Sequence, residues 1–234
     1  MPARRRNAFP RSQRMSLAQF HVTPTSLPGG GIRYDTPVVG PSSFDVLLAL
    51  AHARAVDAEP DGSCALHGVT AWLRGVSADQ LRALAARAAA LPATRSRIVQ
   101  VIGPAAEHDG RHRELDDFCN IGTSGRFIGD AGLQALALAM NLRIFVLTRR
   151  DLNARMIELY GAETALGSLI HVVEAERSEI AHNAGAARDV VIAYNDVNHY
   201  HCVLPQDGHS RQDVVRELLR IRREFETAAE RTAA

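Results

Sequence analysis

The feature that most constrains the fold is a change in hydrophobic periodicity near residue 141. Before that point, apolar residues recur every three to four positions, as on one face of an α-helix. After it come short apolar runs of the β-strand kind, over residues 143–147, 169–173, 190–194 and 200–204. A turn at 195–198 joins the last two runs in the manner of a hairpin. Helices followed by strands predict an α+β fold with a mostly antiparallel central sheet flanked by helices.

Capping residues mark the helices of the first part. Ser42 or Ser43 is the predicted N-cap of a first helix, with an apolar face of Phe44, Leu47, Leu48, Ala51 and Ala55. Ser77 and Gln80 form a capping box at the start of another helix. Further helices are predicted over 95–106, 111–119 and 133–140, and from Ser210 onward.

Composition excludes several classes of protein. The net charge of +1 gives no reason to expect nucleic-acid binding, and the longest apolar runs, such as 131–140, are too short to span a membrane. The three cysteines, at 64, 119 and 202, cannot form a disulfide framework, and no CxxC pair suggests zinc. We therefore expect a reducing, cytoplasmic compartment, with no metal and no cofactor.

The order of composition along the chain predicts three regions. Residues 1–40 are rich in Arg, Ser, Pro and Gly and are expected to form a disordered leader. Residues 41–208 contain the predicted helices and strands of the folded domain. Residues 209–234 form an amphipathic helix that docks on the domain or extends from it.

The stretch around Cys64 combines a turn with a helix start. Pro60, Asp61, Gly62 and Ser63 favour a turn, and apolar residues recur at helical spacing immediately after Cys64. A cysteine at a helix N-terminus is favoured as a thiolate by the helix dipole, and the free N–H groups there can hold an oxyanion. Taken alone, the stretch favours a small buried thiol, which is the usual state of a free cysteine.

A nucleophilic cysteine needs a base, and His199 is the best placed histidine. It leads a predicted core strand directly after a tight turn, where side chains lie at the rim of a rigid scaffold. By strand alternation His199 and His201 share one face, and Tyr200 and Cys202 the other. A cysteine on an early helix and a histidine on a late sheet form the general layout of papain-like thiol enzymes.

Three blocks of the sequence resemble the ovarian tumour (OTU) family of cysteine proteases. Segment 61–67, Asp-Gly-Ser-Cys-Ala-Leu-His, is similar to the family's Asp-Gly-Xaa-Cys-Leu-Phe-Arg block. Segment 127–137, Phe-Ile-Gly-Asp-Ala-Gly-Leu-Gln-Ala-Leu-Ala, resembles its Trp-Gly-Gly-Xaa-Xaa-Glu-Leu-Xaa-Ala-Leu-Ala block, and 198–200, Asn-His-Tyr, its catalytic His-Tyr. The blocks occur in the family's order and lie within residues 44–205.

The resemblance implies a papain-like OTU fold and a deubiquitinase that releases ubiquitin, polyubiquitin or a ubiquitin-like protein from lysine. Cys64 would be the nucleophile and His199 the general base, then the acid toward the leaving amine. Asp61 would belong to the loop that shapes the oxyanion hole. The cleft for the Gly-Gly tail of ubiquitin would be flanked by Gly62, Ser63, Phe127, Gly129 and Tyr200.

The main departure from the family concerns the residue that orients the catalytic histidine. Many members carry Asn or Asp two positions after it, where this chain has His201. A neutral His201 could accept a hydrogen bond from the His199 ring. The alternatives are Asn198 or an upstream aspartate such as Asp35 or Asp45.

Two other functions stay open from the sequence. One is an OTU-fold module that binds ubiquitin without cleaving it, and the other is a thiol hydrolase or acyltransferase with a different substrate. Every basic residue is arginine, which we attribute to a GC-rich genome rather than to escape from lysine modification. Together with the arginine-rich leader, this composition suggests a bacterial or viral effector that acts in the host cytosol.

Overall fold

The computed structural model describes residues 24–26, 32–34, 42–92, 96, 121–123, 125, 127–174, 188–195 and 199–233. The chain divides into two compact units, Met1–Pro41 and Ser42–Ala234. In the first unit, β1 (Pro24–Ser26) pairs with β2 (Ile32–Tyr34) in antiparallel register. This pair of short strands differs from the expectation of a leader without regular structure. Its β-forming residues flank a glycine triplet, a pattern suited to a hairpin.

The second unit alternates helices and strands. Its helices are α1 (Ser43–Leu50), α2 (Cys64–Thr70), α3 (Ala78–Ala89), α4 (Asp130–Met140), α5 (Ala154–Tyr160), α6 (Ala162–Ala165), continued by a 3₁₀ turn (Leu166–Leu169), and α7 (Arg211–Ala233). Its strands are β3 (Ala53–Asp57), β4 (Leu142–Thr148), β5 (Ile170–Glu174), β6 (Arg188–Tyr194) and β7 (Tyr200–Pro205). Apart from residue 96, the predicted helices over 95–106 and 111–119 lie outside the described residues.

The five strands form one sheet in the order β3-β7-β6-β4-β5. Strand β4 runs parallel to β6, and the other neighbouring pairs are antiparallel. A mostly antiparallel sheet flanked by helices confirms the predicted α+β class. Within the sheet, β7 lies between β3 and β6, so that residues at its start face partners on two strands.

The start of the chain's second unit corrects one prediction. Ser42 caps α1 in a capping box with Asp45, but the helix ends at Leu50, and Ala55 lies on β3 instead of on the helix face. The reversal occurs at His52, which takes a positive φ of 53°. Alanine suits either kind of element, so its spacing could not show where the helix ends. By contrast, the capping box of Ser77 and Gln80 forms as predicted.

Helix α2 packs closely on the sheet. A Cβ atom on Gly68 would lie 2.7 Å from a methyl carbon of Ile192 on β6, so glycine allows the helix to approach the strand. At the far end, the Trp72 indole donates a 2.6 Å hydrogen bond to the Val203 carbonyl of β7. These contacts fix the beginning of α2, where Cys64 lies, against β7.

The C-terminal helix α7 packs on the domain through its apolar face. Val214, Leu218 and Ile221 are buried, and the Arg211 guanidinium donates to the carbonyls of Ala71 and Trp72. Docking is therefore the arrangement that the structure shows for this part of the helix. No helix among the described residues is long and apolar enough to cross a bilayer.

Candidate active site

Cys64 is the first residue of α2, and only 3% of its surface is exposed. The N-cap position belongs to Ser63, yet the Ser63 side chain makes no capping hydrogen bond. Its hydroxyl oxygen instead accepts from a guanidinium N–H of Arg82 at 3.0 Å. As a result, the first turn of α2 keeps its backbone N–H groups free of a side-chain cap.

Asp61 organises the loop that leads into Cys64. One carboxylate oxygen accepts the Ser63 N–H at 2.7 Å, and the other lies 2.9 Å from Nε2 of His67, one turn into the helix. The hydrogen bond from His67, opposed by partial burial and helped by the Ser63 N–H, lowers the pKa of Asp61 below its ordinary value. Asp61 therefore shapes the loop before Cys64, and its part in an oxyanion hole stays a prediction.

Arg82 ties this loop to a second segment. The side chain is 3% exposed, and besides Ser63 it donates to the carbonyls of Gly62, Ile121 and Thr123 at 3.0–3.1 Å. Burial lowers its pKa, and the charges of Asp61, Asp79 and Cys64 oppose that shift. Sequence reasoning missed Arg82; its position in the apolar stripe of α3 was the available signal.

The two segments also touch through glycines. Gly62 has a φ of +78°, and a Cβ atom built there would lie 2.2 Å from the Gly125 carbonyl oxygen. Glycine is thus required at 62 both by its backbone angle and by the space. Nearby, Gly129 is the N-cap residue of α4. Gly62 and Ser63, two of the predicted cleft residues, therefore lie in the loop that Arg82 holds. Gly129, a third, lies at the start of α4.

His199 reaches the site through the start of β7. Its N–H donates to the Asn195 side-chain oxygen, and its carbonyl accepts the Asn195 N–H, each at 3.0 Å. The N–H of the next residue, Tyr200, donates to the Cys64 sulfur at 3.4 Å. The structure thus places the nucleophile candidate against the peptide that joins His199 to Tyr200. Asn195 belongs to the turn predicted over 195–198, and its side-chain contact with His199 was not foreseen.

An aromatic cluster lies beside Cys64. The ring centroid of the buried Tyr200 is 5.6 Å from that of Phe127 and 4.8 Å from that of Tyr194. Burial, reinforced by the charge of Asp130, raises the pKa of Tyr200 well above its ordinary value, so its hydroxyl stays neutral. Phe127 and Tyr194 are only partly buried and can line an opening.

His201 is buried and engages both ring nitrogens away from His199. Nδ1 lies 2.7 Å from a carboxylate oxygen of Asp57, and Nε2 lies 3.2 Å from a guanidinium nitrogen of Arg149. The rings of His199 and His201 meet edge to face, with centroids 4.9 Å apart. The predicted hydrogen bond from His199 to His201 is therefore not the arrangement that this structure shows.

The other predicted orienting residues are accounted for differently. Asn198 and Asp35 lie outside the described residues. Asp45 is committed to the capping box of α1, where Ser42 donates to its carboxylate. Sequence reasoning missed Asp57 and Arg149, because β3 was not recognised and nothing local distinguishes either residue.

Two groups of side chains bring metal-ligand atoms within 4.8 Å of one another: Asp57, His199 and His201, and Glu59, Asp61 and His67. In the first group the His201 nitrogens already bond to Asp57 and Arg149. In the second, Asp61 bonds to His67 and to the Ser63 N–H. These bonds would have to break before either group could bind a cation.

No family model matches the chain, and no curated protein matches it. Two solved structures are similar at 14% identity. One is the OTU domain of OTUD1, with a TM-score of 0.44, covering 69% of this chain and 92% of that one. The other is an OTU deubiquitinase from Wolbachia pipientis wMel, with a TM-score of 0.42, covering 70% of this chain and 95% of that one. Both likenesses concern the fold alone.

Proposed function

We propose that the protein is an OTU-type cysteine isopeptidase that releases ubiquitin or a ubiquitin-like protein from lysine. The observation that carries the proposal is the contact between the Cys64 sulfur and the N–H of Tyr200, the residue that follows His199. A thiol at a helix start and a histidine at a strand start are thereby brought close in space, and Cys–His nucleophilic catalysis further needs the His199 ring to reach the Cys64 sulfur.

The reaction follows from these groups. His199 takes the proton of the Cys64 thiol, and the sulfur attacks the carbonyl carbon of the isopeptide bond. The Cys64 N–H, at the uncapped start of α2, can donate to the oxyanion that forms. The intermediate collapses to a thioester as the imidazolium of His199 gives its proton to the leaving lysine amine. Water, deprotonated by His199, then attacks the thioester, and the thiol is restored when the carboxylate leaves.

The surroundings of Cys64 suit a thin peptide tail. Gly62, Ser63 and Gly129 offer little side-chain bulk, and the Phe127 ring lies next to Gly129 and stacks on Tyr200. The C-terminal Gly-Gly of ubiquitin carries no side chains, so it fits a narrow passage that larger residues cannot enter. This match supports ubiquitin-like substrates over ordinary peptides.

A ubiquitin that carries a C-terminal electrophile tests the proposal. We expect the wild-type protein to form a covalent adduct, and Cys64→Ala to form none. Cys202→Ala is the matched control, because Cys202 is also a free cysteine and lies on β7, three residues beyond His199. No wild-type adduct, or an adduct that survives Cys64→Ala, would contradict the proposal.

One observation favours a second candidate, a module that binds ubiquitin without cleaving it. Among the described residues, no side chain forms a hydrogen bond with the His199 ring. The His199 ring instead contacts the His201 ring edge to face. Binding of ubiquitin without turnover of any chain type would support this module. A thiol hydrolase or acyltransferase with another substrate would instead leave the probe unreacted while Cys64 reacts rapidly with small alkylating agents.

The place of action belongs to the same proposal. Cys64 and Cys202 are free cysteines, and a thiol nucleophile requires a reducing compartment such as the cytosol. The lysine-free composition and the arginine-rich first 40 residues support an effector of a bacterium or virus that works in a host cell. Delivery of the full chain, compared with a chain lacking residues 1–40, tests this part.

A further inference from the structure

We propose that Asp57, at the end of β3, is the carboxylate that positions His199, and that His201 and Arg149 hold Asp57 in place. The inference rests on the proposed function, since it concerns the base of that reaction. It assigns the orienting role to a strand that precedes the nucleophile in the chain. The resemblance predicts the orienting residue at position 201. Here His201 instead holds Asp57 in place.

The strand register brings these groups together. Asp57 pairs directly with His201 across β3 and β7, and its carboxylate accepts from Nδ1 of His201 at 2.7 Å. One carboxylate oxygen of Asp57 and one ring nitrogen each of His199 and His201 all lie within 4.8 Å of one another. A small rotation of the Asp57 side chain, which is 88% exposed, would bring its carboxylate into hydrogen-bond range of His199.

Arg149 decides which nitrogen of His201 carries the proton. A guanidinium only donates hydrogen bonds, so Nε2 of His201, 3.2 Å from Arg149, must accept. A neutral imidazole has one N–H, which therefore lies on Nδ1 and points at Asp57. Burial of the ring, with the neighbouring charges of Arg149 and His199, lowers the pKa of His201 against the opposing bond to Asp57, and so keeps the ring neutral.

This tautomer leaves His201 unable to serve His199 directly. Both of its nitrogens are occupied, and its ring meets His199 edge to face at an interplanar angle of 86°. Asp57 has the lone pairs that His201 lacks. Its second oxygen can accept an N–H of His199 and stabilise the imidazolium that forms when Cys64 loses its proton.

The exposure of Asp57 sets the size of the expected effect. A buried orienting aspartate in a serine enzyme is worth about 10⁴ in rate. A carboxylate in contact with water is screened and replaceable by solvent, so we expect a smaller loss, about 10- to 100-fold. Arg149 acts through His201 and Asp57, and we expect its removal to lower the reaction rate about 3- to 10-fold.

Two measurements on the full-length protein test the inference. The first is steady-state cleavage of a fluorogenic ubiquitin C-terminal conjugate by Asp57→Asn, Arg149→Met and the double variant. We expect Asp57→Asn to lower kcat and to change KM by no more than about twofold. The double variant should be no slower than Asp57→Asn alone, because both substitutions break the same series of contacts from Arg149 through His201 to Asp57. Asp57→Glu should restore part of the rate, and the exposed control Asp207→Asn should match the wild type.

The second measurement is the rate of Cys64 alkylation by iodoacetamide against pH, in a background where Cys119 and Cys202 are both replaced by Ala. Loss of the carboxylate destabilises the His199 imidazolium and the thiolate paired with it, so the low-pH limb of the alkylation profile should move to higher pH in Asp57→Asn. A merely structural role would lower the amplitude without moving the limbs of the profile. Thermal unfolding of each variant shows whether the fold is retained.

The outcomes separate this inference from the proposed function. Alkylation needs no ubiquitin. A slower rate of Cys64 alkylation in His199→Ala than in the wild type therefore establishes the Cys–His pair by itself. If His199→Ala slows alkylation while Asp57→Asn stays within twofold of wild type in both measurements, the inference is overturned and the pair stands. Losses for Asp57→Asn and Arg149→Met that simply multiply in the double variant would also overturn it. If His199→Ala leaves alkylation unchanged, the proposed function itself fails.

Discussion

The two halves of the candidate site are built in different ways. On the nucleophile side, Asp61 bonds to residues two and six positions along the chain, and the helix start presents Cys64 directly. On the histidine side, Asp57 and Arg149 reach His201 from positions 144 and 52 residues away. Cys64, the candidate nucleophile, is thus placed mainly by local chain geometry, and the surroundings of the candidate base His199 by the order and register of strands.

Arg82 is the exception that sharpens this comparison, because it brings a long-range clamp to the nucleophile side. Arg82→Met would leave the Gly62, Ile121 and Thr123 carbonyls and the Ser63 hydroxyl without their donor, and we expect the free energy of unfolding to fall by about 3–5 kcal/mol. Urea unfolding followed by the fluorescence of the single tryptophan measures the change.

Arg87→Met is the matched control for this variant. Arg87 lies on the same helix and is exposed, so we expect its loss to change stability by less than about 0.5 kcal/mol. Equal stability of the two variants would mean that the clamp contributes nothing, and that the nucleophile loop is held by local contacts alone.

Gly62→Ala should have the next largest effect. Its Cβ atom would meet the Gly125 carbonyl at 2.2 Å in addition to the cost of a φ of +78°. Gly75→Ala isolates the backbone cost, because Gly75 has a φ of +76° and open space around it. We expect the free energy of unfolding to fall by about 1 kcal/mol in Gly75→Ala and by roughly 2 kcal/mol more in Gly62→Ala.

Cys64 alkylation extends the glycine comparison to function. Gly62→Ala should slow the reaction, because the loop before Cys64 must shift, whereas Gly75→Ala should leave the rate unchanged. If both variants lose the same stability and react alike, the contact between the two loops does not position the nucleophile.

The smallest expected effect concerns pH and the histidine side. Because burial lowers the pKa of His201 in the folded protein, the unfolded chain binds a proton there first as pH falls below 6.5. The wild type should therefore lose stability between pH 6.5 and the lowered pKa, and keep it at higher pH. His201→Gln should lack this component of the pH dependence.

Urea unfolding of both proteins at several pH values measures the difference. If the free energy of unfolding of the wild type and of His201→Gln changes with pH in the same way, burial does not lower the pKa of His201 and Arg149 does not hold the ring neutral. The tautomer that directs its N–H to Asp57 would then lose its support.

The sequence predicted the half of the site that depends on local geometry. Turn formers before Cys64 and helical spacing after it mark the helix start, and the structure has both. His199 was recognised because it follows a turn and leads an apolar strand. The class of fold followed from the change in periodicity, although α1 was predicted to run into what is β3.

Missing β3 had a specific cost for the site. With residues 53–57 assigned partly to a helix, no pairing of Asp57 with His201 could be foreseen. Arg149 and Asn195 follow the ends of β4 and β6 and carry no local mark of function. Arg82 did carry one, as a charged residue in the apolar stripe of α3, and helical spacing alone could have singled it out.

By itself, the sequence determined the elements whose causes lie within a few residues: capped helix starts, apolar strands and the turn that presents Cys64. Hydrogen bonds and steric limits between near neighbours are sufficient for these. The tertiary structure decided which distant groups surround His199, because strand order and register place Asp57 opposite His201 and bring Arg149 to its other side. Whether the candidate base is held in a productive orientation depends on those contacts.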